Sequence, residues 1–258
     1  MEFVIMPPLN VAKGARTISV VVRTLPARAL VPRHAHDHAR LIYAVQGVMS
    51  VSTAQGSWVV PPERAIWVPP HTDHEIRSYG AEVMMRSLDL APRGFPRLQK
   101  SSCCVVGVSR LMRELVLRHA ELAGQPPSLA LRLIRELMAL ELRQLPVSAL
   151  HLPMPRDARL REVCERIVRN PGDRLTLDDW GRRVGASSRT LARHFVAETG
   201  MNFQRWRQQA RLMEALTRLA SGQSVTAVAM DLGYDSPSAF TAMFRRTLGC
   251  PPRSYFVN

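Results

Sequence analysis

The chain has 258 residues, 46% of them hydrophobic, with 35 Lys and Arg against 21 Asp and Glu, a formal charge of +14. That length exceeds one ordinary core and implies two domains. The apolar runs are too short to cross a bilayer and Met1 opens no export signal, so membrane and secreted classes are set aside and a cytoplasmic location is expected.

The charge points to a polyanionic partner, because arginine-rich surfaces bind phosphates with release of counterions. Residues 1–155 and 156–258 each carry +7, so the shorter C-terminal part is the denser in charge. Lys13 and Lys100 are the only lysines. Cys103, Cys104, Cys164 and Cys250 form no Cys-x-x-Cys pair, and reduced thiols are expected.

Residues 17–90 read as short strands: TISVVV, LIYAV, VMSVST, SWVVP, AIWVP, HEIRSY and EVMMRSL, separated by Pro, Gly and Asp-containing turns. This pattern predicts a small barrel or sandwich. From Val108 the period becomes helical, with Leu111, Leu115 and Leu122, then Leu133, Leu137 and Leu140 after the break GQPPS. These leucines either cover one end of the barrel or form a dimer seam. Prolines at 146, 153 and 155 mark a boundary segment with no helical or strand period. The expected division is 1–98 barrel, 99–146 helical pair, 147–155 linker and 156–258 helical domain.

Within 156–258 the stretch VGASSRTLARHFVAETG (184–200) repeats as LGYDSPSAFTAMFRRTLG (232–249). Ser187 falls on Ser236, Leu191 on Phe240, Phe195 on Phe244 and Gly200 on Gly249, each 49 residues apart. A short helical segment precedes each copy, giving helix, glycine turn, helix twice over. Ser187 or Ser188, and Ser236, are candidate N-caps, and Pro237 suits a first helical position. The apolar pairs leave Arg189, Ala192 and Arg193 outward in one copy and Ser238, Ala239 and Ala242 in the other. About 20 residues of amphipathic helix between them would span about 30 Å, near the ~34 Å of one duplex turn.

Residues 156–258 resemble the DNA-binding domain of the AraC/XylS family of bacterial transcription regulators. The resemblance rests on LTLDDWGRRVGASSRTLARHFVAETGMNFQRW, ARLMEALTRLASGQSVTAVAMDLGYDSPSAFTAMFRRTLGCPPRSY and the ending Gly249, Pro251, Pro252, Tyr255. It implies that the second helix of each unit reads bases through Arg189, Ala192, Arg193, Ser238, Ala239 and Ala242. Small residues on the second reading helix favour thymine-methyl contact or shape readout there. Arg189 and Arg193 are then expected to carry most specificity, with Arg245 and Arg246 on phosphates.

The histidine stretch VPRHAHDHARLIYAVQG (31–47), followed by VPPHTDHEI (68–76), resembles the two motifs of the cupin barrel. The positions matching that family's metal ligands are His34, His36, Arg40 and His74. A guanidinium at 40 puts a cation where a carboxylate ligand belongs, which argues against an enzymatic metal centre. His34, His36 and His74 could still hold zinc with an open fourth position. Alternatively these side chains and Trp67 line a small-molecule cavity, His34, His36, Arg40, Trp67 and His74 together favouring an anionic or metal-associated effector. His38 reads as a structural residue, His71 as an exposed turn residue, and Glu75 as facing away from His74.

The fold class expected is α+β: a cupin-like barrel, an amphipathic helix pair and an all-α domain with two helix-turn-helix units. The function expected is a ligand-responsive transcription regulator, not an enzyme. A metal-responsive regulator and a metal-dependent cupin enzyme are the alternatives. Expected partners are double-stranded DNA, a small-molecule or metal effector, a second copy of the chain and, by family resemblance, RNA polymerase. No cofactor is expected unless the three histidines hold a divalent metal.

Overall fold

A computed structural model describes residues 4–5, 18–90, 102–122, 125–148 and 150–255. Two compact units divide the chain, one of Met1–Thr53 and Trp58–His151, the other of Ala54–Ser57 and Leu152–Asn258. No described helix is long and apolar enough to cross a membrane.

The first unit contains β1 (Val4–Ile5), β2 (Ile18–Leu25), β3 (Ala29–His34), β4 (Ala39–Thr53), β5 (Gly56–Val60), β6 (Arg64–Val68), β7 (His74–Leu90) and β8 (Cys104–Gly107). Then come α1 (Arg110–Glu121), α2 (Leu129–Leu142) and β9 (Val147–Ser148), and β10 (His151–Pro153) runs across the boundary. The sheet order is β1-β3-β7-β4-β6-β8-β9, with β2 also on β7 and β5 on β4. β9 and β10 fall in the proline-marked segment where no strand was expected.

β4 and β7 each join two strands that the sequence reading kept apart. Gly47 and Gly80 take φ of +84° and +77°, so the chain bends there and pairing continues with register shifts on both sides of Gln46. A Cβ at Gly47 would lie 2.8 Å from Val83 Cγ2, so no side chain fits the bend.

The ladders sort side chains onto two faces, since residues directly opposite one another share a face. Ile18, Leu90 and Ala39 form one row, and Val20, Leu88, Leu41 and Trp67 the next. These residues form a core with Met112, Leu115 and Val116 of α1 and Met138 and Leu142 of α2. The helical pair therefore shares the barrel's core and is no separate segment. The opposite face carries Ser19, Asp89, Arg40 and Val68, then Val21, Ser87, Ile42 and Ile66, then Arg23, Met85 and Ala44.

The second unit is helical: α3 (Ala158–Arg169), α4 (Leu177–Val184), α5 (Ser188–Thr199), α6 (Phe203–Ala220), α7 (Val225–Asp231), α8 (Pro237–Leu248) and α9 (Pro252–Tyr255). Side-chain caps from Asp157, Thr176, Ser187, Asn202, Ser224 and Ser236 start α3 to α8. Gly185, Gly200 and Gly249 end α4, α5 and α8 in the left-handed conformation.

Candidate functional site

The two repeats fold as two helix-turn-helix units, α4–α5 and α7–α8. Ser187 accepts from the Thr190 backbone N–H at 3.1 Å, and Ser236 from that of Ala239 at 3.1 Å, so α5 and α8 both begin on a serine three residues before the amide it caps. Leu191 and Phe195 are buried, Phe195 standing edge-on to Phe203 and Trp206 of α6. Phe240 and Phe244 are buried likewise, against Tyr234 and Tyr255. These anchors fix which side of each helix looks out. Arg189, Ala192, Arg193, Ser238, Ala239, Ala242, Arg245 and Arg246 are all exposed. Val196 is exposed one turn beyond Ala192 and Arg193 and adds an apolar group to the first face.

The connecting helix α6 has 18 residues, about 27 Å at 1.5 Å each, slightly shorter than expected. A second device fixes the α7–α8 turn and α6 against the segment joining α3 and α4. Gly233 of the α7–α8 turn approaches Gly172 so closely that a Cβ at 233 would lie 2.8 Å from the Gly172 carbonyl oxygen. Arg211 of α6 donates to the carbonyls of Pro171 at 2.8 Å and Asp173 at 3.1 Å and lies over the Tyr234 ring.

In the first unit His34 and His74 are directly opposite on β3 and β7. Ligand nitrogens of His34, His36 and His74 lie within 4.8 Å of one another, with His36 and His74 buried. His34 Nδ1 pairs with the Pro32 carbonyl at 2.7 Å and His74 Nδ1 with that of Thr72 at 2.9 Å. Each therefore donates through Nδ1 and keeps its lone pair on Nε2, and His74 Nε2 is buried with no partner. Burial lowers the pKa of all three, that of His36 to about 3 and that of His74 to about 4. Neutral imidazoles oriented by backbone carbonyls suit a divalent ion of the zinc or nickel kind. His36 Nε2 is already engaged by Arg40 Nη1 at 2.7 Å and would have to leave it to join such a site.

Arg40 needs a correction. The cation expected where a carboxylate ligand belongs is itself neutralised, because Arg40 Nε donates to Asp89 Oδ1 at 2.6 Å, and both residues are buried. Asp89 sits directly across β4–β7 from Arg40 and also lies 2.9 Å from His38 Nε2. Asp89 thus neutralises Arg40 from a strand 49 residues away but does not join the cluster of His34, His36 and His74.

Trp67 is not brought to this cluster. It pairs across from Leu41, one residue from Arg40, and so faces the α1–α2 core. The period of two, applied to Trp67 and Arg40 only after their register is known, decides this. Glu75 bonds Arg77 at 2.7 Å, and His71 is exposed in a left-handed turn. The sequence reading missed Asp89, Ser19, Ser87 and Arg23 on the same face as Arg40. A charged residue alternating with leucine in SLDL was the available signal for Asp89.

An AraC-like ligand binding domain model matches residues 21–150 and a helix-turn-helix domain model matches residues 180–257. The chain is 35% identical over 229 residues to the HTH-type transcriptional regulator NimR of Escherichia coli, covering 88% of this chain and 82% of NimR. It is 35% identical over 103 residues to the regulator RipA of Corynebacterium glutamicum, covering 40% of this chain and 31% of RipA. A crystal structure of ToxT from Vibrio cholerae matches with a TM-score of 0.38 and 11% identity, covering 95% of this chain and 97% of ToxT. The chain belongs to the AraC family of helix-turn-helix transcriptional regulators and joins that family's DNA-binding domain to a ligand-binding domain.

Proposed function

We propose that α5 and α8 enter successive major grooves of one operator and that an effector held on the Arg40 face of the barrel sets how they are presented. The observation that carries this reading is the matched presentation of the two helices: each is serine-capped, anchored by paired apolar side chains, and turned outward at positions 49 residues apart. Arg189 and Arg193 read bases, Ala192, Ser238, Ala239 and Ala242 read thymine methyls and groove shape, and Arg245 and Arg246 hold phosphates. Selection of bound sequences from random duplexes by the full chain tests it. Two short conserved blocks about one duplex turn apart are expected, and a single block contradicts it.

The regulator works as a homodimer through α2. Leu129, Leu133, Leu137 and Leu140 recur along one stripe of this helix and are 44–60% exposed, while Leu131 is buried and Met138 and Leu142 join the barrel core. On this reading the family likeness extends to contact with RNA polymerase and a cytoplasmic location, and the protein acts by binding rather than by catalysis.

A second reading is favoured by the inward-facing Nε2 lone pairs of His34 and His74. Here zinc or nickel on His34, His36 and His74 is itself the signal. His36→Ala then abolishes the transcriptional response to the metal and leaves basal DNA affinity unchanged, and a response that persists removes this reading.

A further inference from the structure

On the face that carries Arg40 the strands also bring in a second arginine. Arg23 lies in the third row, beside Met85 and next to Ala44, and is only 9% exposed. It is near enough to His34 to depress that histidine's pKa. Among the described residues it has neither an ion pair nor a hydrogen bond, and burial is the one cause lowering its own pKa. Arg40 is answered by Asp89, so the face keeps one positive charge in excess. Protonating any histidine, or adding a metal, would only enlarge that excess. Outside the described residues the only acidic side chain is Glu2.

A guanidinium with no anion beside it, on a side chain only 9% exposed, is costly, and proteins keep such a group where a ligand neutralises it. The atoms around it extend the argument. Arg40 Nη2, Ser19 Oγ and Ser87 Oγ are all buried without partners on this face, and each can donate to an acceptor oxygen. Between them stand Val21, Ile42, Ile66, Met85 and Ala44, which offer only apolar contact.

Resting on the reading above that the barrel holds the effector, we infer that the effector is a monocarboxylate with an apolar body, its carboxylate held by Arg23 with help from Arg40 Nη2. Planar, bidentate pairing is the geometry in which a guanidinium recognises a carboxylate best.

Butanoate, octanoate and benzoate, each beside its primary amide, and inorganic phosphate are the probes, added to the full chain and followed by thermal unfolding and calorimetric titration. At least one carboxylate should raise the unfolding temperature and bind at least tenfold more tightly than its amide. Phosphate, which has no apolar body, should not match it. Arg23→Met should lower carboxylate affinity at least tenfold, leave amide binding unchanged, and raise the unfolding temperature of the ligand-free protein by about 2 °C or more, as removal of an uncompensated charge does. Arg23→Lys, which keeps the charge, should retain part of the affinity and guards against a variant that fails to fold. Equal binding of acid and amide, equal protection by phosphate, no binding by any carboxylate, or carboxylate binding indifferent to Arg23 each overturns the inference. The underlying reading fails separately: a carboxylate that binds through Arg23 yet leaves operator affinity unchanged removes the coupling but not the site. A neutral compound that shifts operator affinity in both wild type and Arg23→Met keeps the coupling and removes the inference.

Discussion

Arg40 and Asp89 meet at 2.6 Å across β4 and β7, each almost wholly out of water, and Arg40 reaches on to His36. Removing one partner of such a pair leaves a bare buried charge, which costs about 3–5 kcal/mol. Asp89→Asn should therefore lower the stability of the first unit by that order, measured by urea unfolding. Asp89→Leu combined with Arg40→Met should recover much of the loss, because the pair's desolvation is then removed with it. A double variant as unstable as the single one would contradict this account.

The histidines give the first unit an acid limit. Burial lowers the folded-state pKa of His36 to about 3 and of His74 to about 4, from 6.5. The unfolded chain thus binds protons first as the pH falls. The stabilisation is fully present above pH 6.5 and is lost progressively toward those folded values. The slope is about 1.4 kcal/mol per pH unit per histidine inside that window. Thermal unfolding of the full chain between pH 7.5 and 4.5 should show the first unit's transition falling below about pH 6.5, with a shallower fall in His36→Gln. A transition that does not move across this range would show that the histidines are not neutral because of burial.

The two roles proposed for the outward residues of the second unit predict different losses. Arg193→Ala should cost about 1–3 kcal/mol at the preferred operator and relax preference at one base pair. Arg246→Ala should weaken preferred and random DNA alike and reduce the salt dependence of binding by about one phosphate contact. Binding isotherms over a salt series distinguish these outcomes. Equal losses on both DNAs for both variants would refute the division.

If the proposed dimer forms through the leucine stripe of α2, substitutions there should separate folding from assembly. Leu133 and Leu137 are 48% and 44% exposed, so Leu133→Glu with Leu137→Glu should leave the unfolding temperature nearly unchanged and shift the chain from dimer to monomer in sedimentation. Leu131 is 8% exposed and packs inward, so Leu131→Glu should instead unfold the first unit. A monomeric wild type would refute the seam.

Much of this was readable before the structure because local rules acted alone. Ser187, Ser236, Pro237 and the turn glycines specify where helices begin and end, and the pairs Leu191/Phe195 and Phe240/Phe244 specify which side is buried. The histidine cluster was readable because its two motifs resemble a known barrel. What escaped depends on register. Whether Trp67 joins Arg40 or turns its back on it depends on a shift of one residue along β6, and Asp89 reaches Arg40 only through a pairing that joins residues 49 positions apart. The α2 leucines were ambiguous for a similar reason: helical spacing groups Leu133, Leu137 and Leu140 but does not say whether that stripe or the one through Leu131 and Met138 faces the sheet.

The contact between Gly172 and Gly233 makes the last prediction. Gly185, Gly233 and Gly249 all have positive φ, which costs an alanine about 1–2 kcal/mol. A Cβ at Gly185 or Gly249 meets nothing within 4 Å, whereas at Gly233 it would stand 2.8 Å from the Gly172 carbonyl oxygen, a backbone atom. Gly233→Ala should therefore destabilise the second unit clearly more than Gly185→Ala or Gly249→Ala, and the excess reports the contact of the α7–α8 turn with the α3–α4 segment. Arg211→Ala removes the hydrogen bonds to Pro171 and Asp173 and the packing on Tyr234 that fasten the same junction. With that fastening loosened, operators carrying one extra base pair between half-sites should be bound less poorly relative to the natural spacing than they are by wild type. If Gly233→Ala costs no more than the other two, and Arg211→Ala leaves the spacing penalty unchanged, then α6 alone sets the distance between the reading helices.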